Sequence, residues 1–374
     1  MRNLIICTDG TWNKPDQMDR DRLVPSNVIK IARAVDENCA EIEQIRYYDS
    51  GVGTEGWLDK VRGGISGRGL FKNMRDAYAW LIENYQPEDR LYLFGFSRGA
   101  FTVRSLAGLL RLCGIPKSSE PASFLAGEAA RVYRERDKAR REKLGKQFSE
   151  QYETASGTVH FIGVWDTVGA LGLPTKGLIG KLTRRRHTFH DVSLGSNIRH
   201  ARHALAINER RKPFEPALWK GKRSDTTESV VQAWFPGVHS NIGGGYVDTG
   251  LSDRALFWMI EQAKECGLHF NYRYLEKRID PNWFGDLRDS MQFYYKTPLT
   301  GLPGWRQIGT GALGECIHFS AIERWSSDTS PDEKPSNLEA ARLHGDISVF
   351  ENNREKKLHR RDEAGTDDER NPYK

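Results

Sequence analysis

The sequence predicts one doubly wound α/β domain, a mostly parallel sheet with helices on both faces, and three observations carry that reading. Short apolar runs alternate with stretches of helical periodicity along most of the 374 residues. Several apolar runs stop at polar turns containing glycine, as strands do where they leave a sheet. No internal repeat divides the chain, and no linker rich in Pro, Gly and Ser cuts it.

The elements follow in order. Leu4 to Cys7 is a short apolar run closed by Thr8-Asp9-Gly10-Thr11, which reads as a buried strand and a tight turn. Asn27 to Val35 has apolar residues at helical spacing, and Ile45 to Tyr48 reads as a second strand ending in Ser50-Gly51-Val52-Gly53. Asn73 to Tyr85 is predicted helical, with Met74, Ala77, Tyr78 and Leu81 on one face. Arg90 to Phe96 is an apolar strand, Gly95-Phe96-Ser97-Arg98-Gly99 a turn, and Ala100 to Leu112 an apolar helix. Gly127 to Tyr152 is charged and free of proline, the pattern of exposed helix inserted between core elements. His160 to Trp165 returns to strand and stops at Asp166-Thr167-Val168-Gly169. Thr175 to Ser196 combines Arg184, Arg185 and Arg186 with Leu178, Ile179 and Leu182, and reads as a surface flap. Asn197 to Asn208 is predicted helical, Ser229 to Phe235 a strand, Gly237 to Gly245 a polar glycine-rich loop, and Leu256 to Cys266 a helix. The domain is placed at 1–325, with cap-like insertions at about 117–157 and 176–196. A polar extension covers 326–374, with little fixed structure expected from Glu351 to Lys374.

Composition bounds the function classes. Hydrophobic residues at 38%, aromatics at 10% and a mean hydropathy of −0.64 describe a globular chain with a wet surface. No apolar run approaches the roughly 20 residues a membrane-crossing helix needs, and the apolar start is too short for a signal segment. A cytoplasmic location is therefore expected, with signal-independent export as the other route. Five scattered cysteines without a CxxC pair predict reduced thiols, neither a disulfide framework nor a zinc site. A net charge of +6 is modest for this length, and no nucleic-acid partner is expected.

Chemistry concentrates at Gly95-Phe96-Ser97-Arg98-Gly99, a G-x-S-x-G pattern with an apolar strand before it and an apolar helix after it. The glycines permit a sharp bend that presents Ser97, and the helix start aims backbone N–H groups and its positive dipole end at developing negative charge. A serine hydroxyl is a weak nucleophile, so it requires a base and a carboxylate to orient that base. His239, in a glycine-rich loop just past a strand, is the best-placed base; His318 is the rival, and His200 and His203 read as structural. Asp166 is the strand-end carboxylate whose chain order, Ser then Asp then His, suits an α/β-hydrolase. Asp248 and Asp253 instead read as brackets of the following helix. The oxyanion donors expected are the N–H of Arg98 and one from Gly10 or Thr11. Asp9-Gly10-Thr11 also resembles the aspartate-nucleophile phosphatase signature, but Cys7 stands where the nucleophilic Asp belongs. No Walker P-loop occurs, and no metal or organic cofactor is expected.

With these residues in view, the sequence resembles a family of α/β hydrolases catalogued as domain of unknown function 2235, which includes phospholipase effectors of bacterial type VI secretion. The matching segments are Cys7-Thr8-Asp9-Gly10-Thr11-Trp12-Asn13, Gly95 to Ala100, Gly163 to Gly169, His203 to Arg211, and Trp234 to Tyr246. The resemblance implies a triad of Ser97, Asp166 and His239 and hydrolysis of carboxylic esters, with phospholipid as the substrate of some members; the basic, partly apolar flap around Leu178 to Arg186 reads separately either as a peripheral contact with anionic lipid or as solvated charge. Within it, Asn208-Glu209-Arg210-Arg211 reads as structural, an arginine bridging carboxylates beneath the site, in preference to direct substrate binding. The alternatives are a small-molecule carboxylesterase or thioesterase, and a non-catalytic binding protein on a hydrolase scaffold.

Overall fold

The computed structural model describes residues 1–10, 18–51, 67–168, 193–291, 303–326, 332–344, 347–351 and 354–357. Its strands are β1 (Asn3–Thr8), β2 (Met18–Asp19), β3 (Arg22–Leu23), β4 (Gln44–Asp49), β5 (Arg90–Phe96), β6 (Val159–Trp165), β7 (Ile198–Ala206), β8 (Ser229–Phe235), β9 (Glu315–His318), β10 (Ser348–Glu351) and β11 (Arg354–Lys357). Its helices are α1 (Asn27–Ala34), α2 (Gly67–Asn84), α3 (Arg98–Cys113), α4 (Ala122–Tyr133), α5 (Lys138–Gln151), α6 (His239–Gly243), α7 (Gly250–Glu265), α8 (Tyr272–Arg278), α9 (Phe319–Ser326) and α10 (Ser336–His344). Nine strands form one sheet in the order β11-β10-β9-β8-β7-β6-β5-β1-β4, while β2 and β3 form a separate ribbon. Every pairing in the large sheet is parallel except β10 with β11. This is the α/β doubly wound fold the sequence predicts.

Strand side chains alternate between two buried faces, which is why these strands read as continuous apolar runs. Leu4 and Ile6 of β1 join Leu91, Leu93, Ile162 and Val164 beneath α2, α3 and α4. Ile5 and Cys7 join Tyr92, Phe94, Phe161 and Trp165 beneath α1 and α7 on the other face. The four α2 residues predicted to share a face, Met74, Ala77, Tyr78 and Leu81, are all buried in the first of these layers. A third cluster packs Leu205, Trp234 and Ile317 against Ala321, Leu338 and Ala341 of α9 and α10.

One expectation needs correction. Asn197 to Asn208 is the central strand β7, between β6 and β8, and not a helix. Its alanines and histidines recur at helical spacing only because a strand buried on both faces has no alternation to display. The 117–157 insertion divides: α4 buries Leu125, Ala126 and Ala129, whereas α5 buries only Arg141, Gly145 and Phe148. α4 packs against α2 and α3, α5 packs against α3 and α4, and the bridge Ile115–Ala155 closes the segment just past the end of α3 remote from Ser97. Past residue 325, α10 carries the buried Leu338, and β10 pairs with β9 and carries the buried Phe350. Of the second insertion, 176–192 lies outside the described residues, as do Arg184, Arg185, Arg186 and the tail from 358 onward.

Candidate active site

Register brings the first two groups together. Phe96 at the end of β5 pairs with Trp165 at the end of β6, so the residues that follow, Ser97 and Asp166, leave adjacent strand ends side by side. His239 comes from the end of β8, two strands beyond β6. The carboxyl ends of parallel strands are where doubly wound sheets gather ligands.

Ser97 has φ 57° and ψ −116°, a conformation that side chains seldom adopt. The bend is possible because its flanking glycines carry no Cβ. One at Gly95 would lie 2.6 Å from the Gly99 carbonyl, and one at Gly99 would strike the Thr8 carbonyl of β1. Thr8 Oγ1 donates to the Gly99 carbonyl at 2.8 Å, locking β1 against the start of α3. Ser97 N–H continues the ladder to Trp165 O at 3.0 Å.

The side chains form an unbroken hydrogen-bonded series. Ser97 Oγ lies 2.9 Å from His239 Nε2, and His239 Nδ1 lies 2.6 Å from Asp166 Oδ2. All three are buried. The imidazole is held between the rings of Phe96 and Phe214, at 4.6 and 4.9 Å. Burial lowers the His239 pKa, with Asp166 opposing that shift. Burial thereby favours the neutral ring, the form a proton acceptor requires.

Sequence reasoning missed the partner of Asp166. Arg306, buried and 140 residues along the chain, donates to Oδ1 at 2.6 Å and Oδ2 at 3.0 Å. Its remaining bonds go to the carbonyls of Ala206 and Phe214. Burial by itself raises the Asp166 pKa; Arg306 and then His239 outweigh it and hold the carboxyl far below its ordinary value. Nothing local marks Arg306, which stands in an aperiodic stretch.

A second carboxylate supports the start of α6, whose first residue is His239. Glu209, also buried, accepts the His239 backbone N–H at 3.2 Å and is gripped by Arg211 at 2.7 and 2.8 Å. Arg211 in turn covers the Phe214 ring at 3.6 Å. Asn208 fixes the turn before His239 by reciprocal bonds with Gly237, at 2.8 and 2.9 Å. In this cluster Arg211 grips one carboxylate, Glu209, and does not bridge two.

The remaining candidates fall elsewhere. His318 is buried on β9, stacked on Phe235 at 4.1 Å and bonded to Ser320 Oγ. His203 accepts the Thr167 N–H through Nε2, and burial followed by Arg104 pushes its pKa down to about 3. His200 bonds Ser229 Oγ at 3.0 Å. Asp253 pairs with Lys30, while Asp248 accepts the Gly250 N–H; the N-cap of α7 is Thr249. Arg98 begins α3, where backbone N–H groups have no helical acceptor. β1 does lie beside β5, but the Gly10 N–H donates to Asp9 Oδ1 at 2.8 Å and does not stand ready as an oxyanion donor. Thr11 lies outside the described residues. Among the described residues, no group of three His, Cys, Asp or Glu side chains converges as metal ligands would, and no helix is long and apolar enough to cross a membrane.

The doubly wound sheet, with a strained serine at one strand end bonded to a histidine from another, has the architecture of the α/β hydrolases. Residues 2–262 match the family described as "T6SS, Phospholipase effector Tle1-like, catalytic domain", and the chain belongs to that family. An uncharacterised protein of Saccharomyces cerevisiae, YEL023C, is 27% identical over 242 residues, which cover 57% of this chain and 32% of that one. A crystal structure of an uncharacterised protein from Pseudomonas aeruginosa aligns with a TM-score of 0.44 at 18% identity, over 76% of this chain and 49% of the other. The chain thus spans about a third of the yeast relative and about half of the bacterial one.

Proposed function

We propose that this protein is a serine hydrolase that cleaves carboxylic esters of phospholipids through Ser97, His239 and Asp166. The observation that carries the reading is the continuous series from Ser97 Oγ to His239 at 2.9 Å and from His239 to Asp166 at 2.6 Å, set on a strained bend. Family membership supports phospholipid as the substrate class.

In this mechanism His239 Nε2 takes the Ser97 proton as Oγ attacks the ester carbonyl. The tetrahedral oxyanion that forms is received by the Arg98 N–H and the positive end of α3. Collapse expels the alcohol, which takes the proton back from His239, and leaves an acyl group on Ser97. Water, deprotonated by the same imidazole, then releases the acid and restores the serine. Asp166 remains ionised throughout, fixes the tautomer that carries hydrogen on Nδ1, and stabilises the transient imidazolium. Arg306 holds that carboxylate in place. A second oxyanion donor from β1 would require the Gly10 N–H to leave Asp9, or the Thr11 N–H to serve instead.

The test is fluorophosphonate labelling of the wild type and Ser97→Ala, followed by a panel of phospholipid vesicles and short acyl esters with product analysis. Labelling of the wild type alone and release of fatty acid from phospholipid is the expected result. Absence of labelling in the folded wild type overturns the hydrolase reading, and turnover confined to short esters or thioesters overturns the lipid assignment.

A further inference from the structure

A basic and aromatic ledge follows the carboxyl end of β7, the end of the sheet that also presents Ser97, Asp166 and His239. Its floor is the strip Gly304-Trp305, pinned to the chain after β7 by the Gly304 N–H, which donates to the Arg210 carbonyl at 3.1 Å. The Arg210 guanidinium lies over the Trp305 ring, 4.9 Å from its centroid. Lys212 rests on the neighbouring residue: a Cβ added at Gly304 would stand 2.8 Å from Lys212 Nζ, so glycine leaves room for that side chain. Consecutive Cα atoms are about 3.8 Å apart, which brings the two cationic side chains to adjacent steps of one strip.

Every part of the ledge is close in sequence to a group that touches the triad. Arg210 follows Glu209, which accepts the His239 N–H, and Trp305 precedes Arg306, which grips Asp166. Lys212 shares a short 3₁₀ turn with Phe214, whose ring packs on the imidazole at 4.9 Å. Arg210, Lys212 and Trp305 are nonetheless exposed, the ring by 37%. Among the described residues no carboxylate pairs with Arg210 or Lys212, whereas the intervening Arg211 is committed to Glu209. Two cations gathered on one strip concentrate positive charge, and stacking on the indole restricts the directions in which the Arg210 donors point.

We propose that Arg210 and Lys212, on the floor made by Gly304 and Trp305, form the subsite for the phosphodiester of a phospholipid substrate, so that the chain selects esters carrying a head-group phosphate over neutral ones. The inference rests on the reading of Ser97, His239 and Asp166 as an ester-cleaving centre. In a glycerophospholipid the phosphate is only a few covalent bonds from either acyl carbonyl, so the group that holds it must stand beside the nucleophile. A phosphodiester is a singly charged anion with a pair of free oxygens, which suits a forked guanidinium together with a point-charge ammonium. Contacts made with the phosphate, away from the reacting carbonyl, orient the ester for attack.

The experiment compares kcat/KM for monomeric dihexanoyl phosphatidylcholine with that for a hexanoyl ester lacking phosphate, in the wild type, Arg210→Gln, Lys212→Gln and the double variant. The ratio of the two is the readout, because a general loss of activity moves both alike. Each single variant should lower the ratio about tenfold, the loss of one charge-assisted bond, and the double variant should lower it further. Calorimetric titration with the diether analogue of the same phospholipid, which an ester hydrolase does not cleave, should show binding weakened in the same order. An unchanged ratio in the double variant overturns the subsite and leaves the hydrolase reading intact. Diether binding that the double variant weakens, in a protein that turns over no ester, removes the Ser97 reading and supports the phosphate assignment. Inorganic phosphate titrated alone separates the sources: binding as strong as that of the diether lipid, and lost in the double variant, overturns the head-group assignment in favour of soluble phosphate.

Discussion

Asp166 and Glu209 are both fully buried carboxylates, each gripped by an arginine, and both touch His239. They differ in what they touch. Asp166 accepts the ring nitrogen Nδ1, so its charge bears on whether the imidazole can hold a proton. Glu209 accepts the backbone N–H at the first residue of α6, so it bears mainly on where that helix start sits. Their arginines differ as well: Arg211 is two residues from Glu209, whereas Arg306 arrives from a distant segment. The comparison teaches that the same ion pair can serve proton transfer on one side of a histidine and placement of a helix start on the other.

The largest effects should come from the ring side. Ser97→Ala should abolish fluorophosphonate labelling and lower ester turnover about 10⁴-fold or more, and Asp166→Asn should lower kcat by about 10⁴ with labelling correspondingly slowed. Next comes Arg306→Gln, which strands a buried carboxylate. Loss of about 3–5 kcal/mol of stability, read from denaturant midpoints, should accompany a fall of about a hundredfold in kcat. Arg306→Lys should recover part of the stability, since it restores charge without the two-pronged geometry. Glu209→Gln should cost only about tenfold in kcat, because the His239 N–H keeps a neutral acceptor. If Glu209→Gln matched Asp166→Asn, the distinction between ring and helix start would collapse.

The smallest effect is in pH dependence. Burial lowers the His239 pKa, so the acid limb of kcat/KM should fall below the ordinary histidine value of about 6.5. Glu209 raises that pKa, so Glu209→Gln should move the limb slightly further down. Asp166 is displaced in the same direction, and for a carboxyl this means the folded state binds its proton less readily than the unfolded chain. Its stabilisation should be complete above about pH 4 and decline as pH falls through and below that value, a trend that denaturant titrations across the acid range would reveal.

How much of this was legible follows from how local each signal is. The bend at Ser97 is encoded within five residues and their flanking apolar runs, and the structure places it as read. Asp166 and His239 were found because both follow strands, which parallel pairing then aligned. Arg306 was invisible because its role exists only through contact with a residue 140 positions away. Strand β7 was mistaken for a helix for a related reason: Arg202 is buried there through bonds to Gln262 and Ser229, partners that only the tertiary structure supplies. Polar composition likewise concealed α10 and β10, each of which buries only a few apolar residues.

Strand β10 has a practical consequence. It hydrogen-bonds to Cys316, Ile317 and His318, and Phe350 covers the Trp258 ring at 6.1 Å. A protein shortened to end near 325 would leave those backbone groups and that apolar ring open, a ready template for strands of other molecules. Self-association seen in such a shortened form would then report an unsealed border and not a natural assembly.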